Sequence, residues 1–137
     1  MIKVLAIDDE PLALRQLEIY ISKVPFLELV ASCSSAAAAA PRIAEADAIF
    51  IDINMPDLSG MDFVKSLENP PLVVFTTAYS EYAVEGFRVD AAGYLLKPFS
   101  FDEFSRTAER LQKRLEEQKA AQAAARLNSS KLKGFRR

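Results

Sequence analysis

Five short runs of bulky apolar residues, separated by stretches with helical spacing, constrain this chain more than any other feature of its sequence. They cover residues 2–7, 27–32, 48–52, 72–77 and 93–96 and are largely continuous in Val, Ile, Leu and Phe. Strands of that kind are covered on both faces, and strands that alternate with helices join through right-handed crossovers into a parallel sheet. The expected fold is therefore α/β: a doubly wound (βα)5 unit with a parallel five-stranded sheet in the order 2-1-3-4-5.

The intervening segments supply the helices. Pro11 suits a first helical turn, and Leu14, Leu17 and Ile21 share a face before the helix stops near Pro25. Ser34 and Ser35 are N-cap candidates for "AAAAAPRIAEA", where Pro41 removes a backbone donor and clashes with the preceding turn, so a kink or a late start is expected. Ser59-Gly60 opens a third helix through Phe63, Val64 and Leu67 that halts before Pro70 and Pro71. Ser80 caps a short fourth helix over "EYAVEGF". Ser100 and Glu103 form a reciprocal capping box for a fifth, which carries Phe104, Ala108, Leu111 and Leu115 on one face. Beyond about Lys119 that stripe is lost. Residues 1–119 are read as one domain and 120–137 as a linker, or as an extension of the fifth helix that reaches Leu127 before Asn128-Ser129-Ser130 breaks it.

Composition narrows the chemistry. With 137 residues, half of them hydrophobic, the chain suits one folded domain, and a net charge of −2 with scattered acids gives no nucleic-acid surface. There is no histidine, which excludes Ser-His-Asp and Cys-His mechanisms and any histidine-ligated metal. The single cysteine, Cys33, cannot form an internal disulfide and reads as a packed thiol in a reducing compartment. No stretch is apolar enough to span a bilayer, and "IKVLAI" runs into acids with no secretory signal, so the expectation is a cytoplasmic protein without membrane contact.

The stretch "IFIDINMP" delivers a carboxylate, Asp52, to the end of an inner strand. In a parallel sheet all strands end on one edge, so Asp8 and Asp9 after strand one, Asp52 after strand three, Thr76 and Thr77 on strand four and Lys97 after strand five become neighbours. Three carboxylates repel strongly unless a cation lies among them, and a hard divalent ion with oxygen ligands, best Mg²⁺, answers that need. Such a site with a lysine and a hydroxyl suits phosphoryl transfer, in which a carboxylate can be the nucleophile and Asp52 is the best placed.

Taken together, "IDDE", "IDINMP", "TTA" and "GYLLKPF" over roughly residues 2–118 resemble the receiver domain of two-component response regulators, a flavodoxin-like fold. The resemblance implies that Asp52 accepts phosphoryl from a sensor histidine kinase, with Mg²⁺ held by Asp9, by Asp8 largely through water, by Asp52 and by the main-chain carbonyl of Asn54. Thr77 and Lys97 would contact the phosphate, Thr77 and Tyr94 would form a switch pair, and the peptide before Pro98 would be cis. Asn54 and Tyr79 would flank the phosphate and influence attack by water. The stretch from "TTAYSEYAVEGF" to "SFDEF" further resembles receivers joined to a LytTR-type DNA-binding domain, which implies a transcriptional regulator that reaches DNA only through an effector domain outside this sequence. Output would pass through the surface of helix four, strand five and helix five, by a homodimer or an attached effector.

Blander readings stand beside these. Asp8-Asp9-Glu10 can simply cap the first helix, Thr76 and Thr77 are ordinary strand residues, and Tyr94 can be a core aromatic. The rival functions are a Mg²⁺-dependent phosphohydrolase of the haloacid dehalogenase type, which would carry its nucleophile after strand one, and a receiver used as a binding module without phosphorylation.

Overall fold

All five apolar runs become strands of one sheet. In the computed structural model, which describes residues 1–79 and 90–134 with side chains through Ser129, they are β1 (Ile2–Ile7), β2 (Leu27–Cys33), β3 (Ala48–Asp52), β4 (Leu72–Thr77) and β5 (Gly93–Leu96). They pair in parallel in the order β2-β1-β3-β4-β5, as expected. Side chains alternate across the sheet, so each strand feeds two cores. Val4, Ala6, Phe50 and Val74 pack against Leu17 and Ile21 of α1 (Pro11–Lys23) and against Phe104, Ala108 and Leu111 of the C-terminal helix (Phe101–Gly134). Leu5, Ile7, Ile51 and Phe75 pack on the other side, against α2 (Ala36–Ala39) and α3 (Gly60–Lys65). That two-sided cover is why the inner strands contain almost no polar side chain before their ends.

The helices depart from expectation in instructive places. Pro41 does not delay the second helix but limits its α-helical part: Ser35 caps it, accepting from the Ala38 N–H at 3.0 Å, the α-helix stops at Ala39, and the backbone then tightens into a 3-10 helix over Ala40–Glu45. The 3-10 pattern accommodates a proline in its first turn, where no donor is required. Ser59 caps α3 as expected, but that helix ends at Lys65, short of Leu67. The Ser66 hydroxyl donates to the Phe63 carbonyl at 2.6 Å, the local competition by which serine closes a helix. The capping box of the C-terminal helix is only half made. Glu103 N–H donates to Ser100 Oγ at 3.1 Å, but the Glu103 carboxylate accepts from the Ser100 hydroxyl at 3.4 Å instead of reaching its backbone N–H.

The expected break at Asn128-Ser129-Ser130 is corrected, because the C-terminal helix runs through those residues to Gly134. Asn and Ser are weak helix formers, costing a few tenths of a kcal/mol each, whereas glycine is a true stop. Packing nevertheless ends earlier: Leu115 is the last buried residue, and 116–129 are exposed. Arg114 ties the packed part of the helix to the entrance of β5, donating to the Ala91 carbonyl at 2.9 Å and pairing with Asp90. The fourth helix expected over "EYAVEGF" and its cap Ser80 lie outside the described residues.

Phe104 joins the C-terminal helix to the sheet, fully buried with its ring 5.2 Å from that of Phe50. Phe104→Ala should lower the unfolding free energy by about 3–5 kcal/mol in urea titrations, a loss of transfer energy plus the cavity left behind.

Candidate functional site

The same alternation that builds the cores sets the direction of the polar residues at the strand ends. Val4 and Ala6 share a face of β1, and Ala48 and Phe50 share the corresponding face of β3. Continuing that period by two residues turns Asp8 and Asp52 toward the side of α1 and the C-terminal helix. Asp8 is fully buried and Asp52 is 5% exposed. Carboxylate oxygens of Asp8, Asp9 and Asp52 all lie within 4.8 Å of one another.

Among the described residues, one cation answers this cluster. Lys97 Nζ lies 2.8 Å from Asp8 Oδ2 and 3.7 Å from Asp52 Oδ1. Burial pulls the Lys97 ammonium down, but its hydrogen bond to Asp8 and the charges of Asp52 and Asp8 outweigh that and hold it above its usual value. Asp52 is under-compensated. Burial raises its carboxyl from 3.8 to about 6; Lys97 and a backbone hydrogen bond from Asn54 oppose the rise, and Asp8 and Asp9 add to it. The capping alternative for the acids is only weakly met: Asp8 Oδ1 accepts the Glu10 N–H at 3.0 Å, and α1 has no side-chain cap bond at its N-cap, Glu10.

Beside the acids lies a cleft of about 490 Å³ lined by Glu10, Gln16, Asp52, Asn54, Ala78, Tyr79, Lys97 and Pro98. The Lys97-Pro98 peptide is cis. Thr77 is buried, and its Oγ1 accepts the Tyr79 N–H at 3.1 Å. Tyr94 sits one strand further out with its ring 5.5 Å from that of Phe75, and its buried hydroxyl has no hydrogen-bond partner among the described residues. Burial, with help from Asp90, pushes the phenol up. The chain thus gathers Asp8, Asp9, Asp52, Asn54 and Lys97 at one edge. Thr77 lies at the same edge but on the opposite sheet face, the face that carries Tyr94. Cys33 lies buried on β2, where desolvation raises its thiol, in keeping with a packing role.

Sequence reading missed the role of Gly60. A Cβ there would lie 2.4 Å from the Asp52 carbonyl oxygen, and the Gly60 N–H donates to the Ile53 carbonyl at 2.8 Å. The loop after β3 therefore folds back on the strand end only because residue 60 has no side chain. The signal in the sequence was a glycine eight residues past an acid, which reads as no more than a helix start.

Comparisons with known proteins agree with one another. Residues 4–109 match the family described as the response regulator receiver domain. The transcriptional regulatory protein BtsR of Escherichia coli K12 is 40% identical over 115 residues, spanning 81% of this chain and 48% of that protein. The sensory transduction protein LytT of Bacillus cereus is 35% identical over 123 residues, 86% of this chain and 50% of that protein. The chain thus spans about half the length of these curated relatives. Among solved structures, the response regulatory domain of protein mrkE from Klebsiella pneumoniae superposes with a TM-score of 0.75 at 32% identity, covering 84% of this chain and 98% of that one.

Because the folded Asp52 carboxyl, at about 6, lies above the ordinary 3.8, the folded chain binds that proton more tightly than the unfolded chain does. The resulting destabilisation is absent below the lower value, grows between the two, and is complete above the higher one. Without divalent metal at pH 7, Asp52→Asn should therefore be more stable than wild type by about 1–3 kcal/mol, with the difference shrinking as the pH falls toward 4 in urea unfolding. Gly60→Ala should do the reverse, losing about 1–3 kcal/mol at neutral pH by the same measurement, since backbone must move to admit the methyl.

Proposed function

The chain belongs to the response regulator receiver family, and from that premise we propose that Asp52 accepts a phosphoryl group from the phosphohistidine of a sensor histidine kinase, with Mg²⁺ as cofactor. The observation that carries this reading is the convergence of Asp8, Asp9 and Asp52 within 4.8 Å at a strand edge with Lys97 against two of them.

The residues fit a divalent ion. The donors are all hard oxygens, and burial, with Asp8 and Asp9 beside it, raises the Asp52 carboxyl despite the attraction of Lys97, which supports a place for further positive charge. Asp8, Asp9, Asp52 and the main chain of Asn54 would hold it. When bound, Mg²⁺ neutralises charge on the carboxylates and on the transferred group.

The chain's own groups account for the remaining requirements. An Asp52 carboxylate oxygen attacks the phosphorus of the donor; the phosphorus–nitrogen bond breaks, and the imidazole leaves with the bonding pair and takes a proton from solvent. Lys97 neutralises a phosphoryl oxygen, for which its present contacts with Asp8 and Asp52 keep it close. Thr77, on the other face of the sheet but at the same edge, accepts from a backbone N–H and so retains its own proton to donate to a phosphoryl oxygen that projects beyond that edge. The acyl phosphate carries about −2 where the carboxylate carried about −1, and this added negative charge, now projecting beyond the strand edge, favours one of two arrangements of the surface around β5, in which Tyr94 acts with Thr77. The buried Tyr94 hydroxyl, which has no hydrogen-bond partner among the described residues, supports a change of position there.

Read with the regulators to which the chain is similar, residues 1–119 form the receiver and the exposed end of the C-terminal helix leads toward a LytTR-type effector domain that contacts DNA. The role is signalling in the cytoplasm, not turnover of a substrate. Output passes through the surface of β5 and the C-terminal helix, together with the fourth helix expected outside the described residues, and is read by a homodimer or by an attached effector.

Incubation with acetyl phosphate and Mg²⁺, followed by intact mass, should give one phosphoryl adduct in wild type, not formed when the metal is chelated beforehand and absent from Asp52→Asn. An unmodified wild-type mass, or steady turnover of a simple phosphomonoester, would refute the assignment.

A further inference from the structure

Two threonines end β4, and the register separates their positions. Asp52 of β3 is paired with Thr76, not with Thr77, in the parallel ladder, and the Ile53 N–H donates to the Thr76 carbonyl at 3.0 Å. Thr76 follows Val74 by two residues and Asp52 follows Phe50 by two, and Val74 and Phe50 belong to the same core. The Thr76 and Asp52 side chains therefore leave the sheet on the same face, from adjacent strands about 4.8 Å apart. Lys97 lies two residues beyond Leu95, the β5 partner of Thr76, and Leu95 belongs to that core as well.

Thr76 is fully buried, and its Oγ1 has no hydrogen-bond partner among the described residues. A buried hydroxyl left unpaired is disfavoured, and valine would fill the same volume without that penalty. By register the Asp52 carboxylate is a neighbouring acceptor on the same face, one strand away.

We propose that Thr76 is a positioning residue for Asp52: its buried hydroxyl donates to the Asp52 carboxylate when the acidic cluster is fully charged around a divalent ion, fixing the plane of the carboxylate so that one oxygen faces the incoming phosphorus. This rests on the receiver reading of Asp52 above. The hydroxyl has one proton to give and the carboxylate has lone pairs beyond those used by Lys97 and the Asn54 N–H, so the bond adds to the existing set.

The test compares the wild-type 137-residue chain, Thr76→Val and Thr76→Ser by two readouts: the Mg²⁺ dissociation constant by calorimetry, and the initial rate of phosphoryl uptake from acetyl phosphate at saturating Mg²⁺. Thr76→Val should slow uptake roughly three- to tenfold and weaken Mg²⁺ binding at least twofold, the range one lost hydrogen bond spans, while its metal-free unfolding midpoint stays level or rises. Thr76→Ser, which keeps the hydroxyl and loses the methyl, should remain within twofold of wild type in both. Wild-type behaviour of Thr76→Val in both readouts overturns the proposal, as does an equal loss in Thr76→Ser, which would assign the effect to methyl packing. A wild-type chain that binds Mg²⁺ but takes up no phosphoryl refutes the receiver reading instead, and the Mg²⁺ constants of the two variants then decide the role of Thr76 alone.

Discussion

Like-charge repulsion among Asp8, Asp9 and Asp52, answered by one ammonium, is the constraint on which the rest of this structure depends. A chain that buries carboxylates at this density loses solvation for each of them and gains only part of it back from Lys97. The imbalance is recorded in the raised Asp52 carboxyl, where burial outweighs the attraction of the lysine. A divalent cation would reverse the balance, and this is why the site reads as a place for charge to be added and removed.

The fold earns that arrangement through ordinary geometry. Parallel strands end together, a period of two turns Asp8 and Asp52 to the same side, and helices on both faces keep the strand interiors dry until the last residue. One small detail makes the edge habitable: Gly60 lets the loop after β3 lie against the Asp52 carbonyl. It contributes no functional group of its own, yet it bears on a residue that does.

The strands were legible because their signal is dense. A continuous apolar run bounded by turn residues admits few alternatives, and β1, β3, β4 and β5 begin and end where the pattern does. Helix ends were harder to read, since serine competes for backbone hydrogen bonds in ways that depend on a single rotamer. Ser66 closes α3 early, whereas Ser129 fails to interrupt the C-terminal helix. The capping box at Ser100 and Glu103 shows the same limit: the residue types announce a cap, but which oxygen meets which hydrogen is settled only in three dimensions.

Sequence by itself determined the class of fold and the acids, hydroxyl and lysine that would share an edge, because periodicity and strand ends are local properties; the strand order was an expectation for that class, decided by pairing between strands. It could not determine which of Thr76 and Thr77 stands opposite Asp52, since register is a relation between strands that are distant in the chain. Nor could it show how far Lys97 divides itself between Asp8 and Asp52, or that residue 60 must lack a side chain. Those facts follow from distances across the folded edge, where burial and Coulomb forces act through space and take no account of sequence separation.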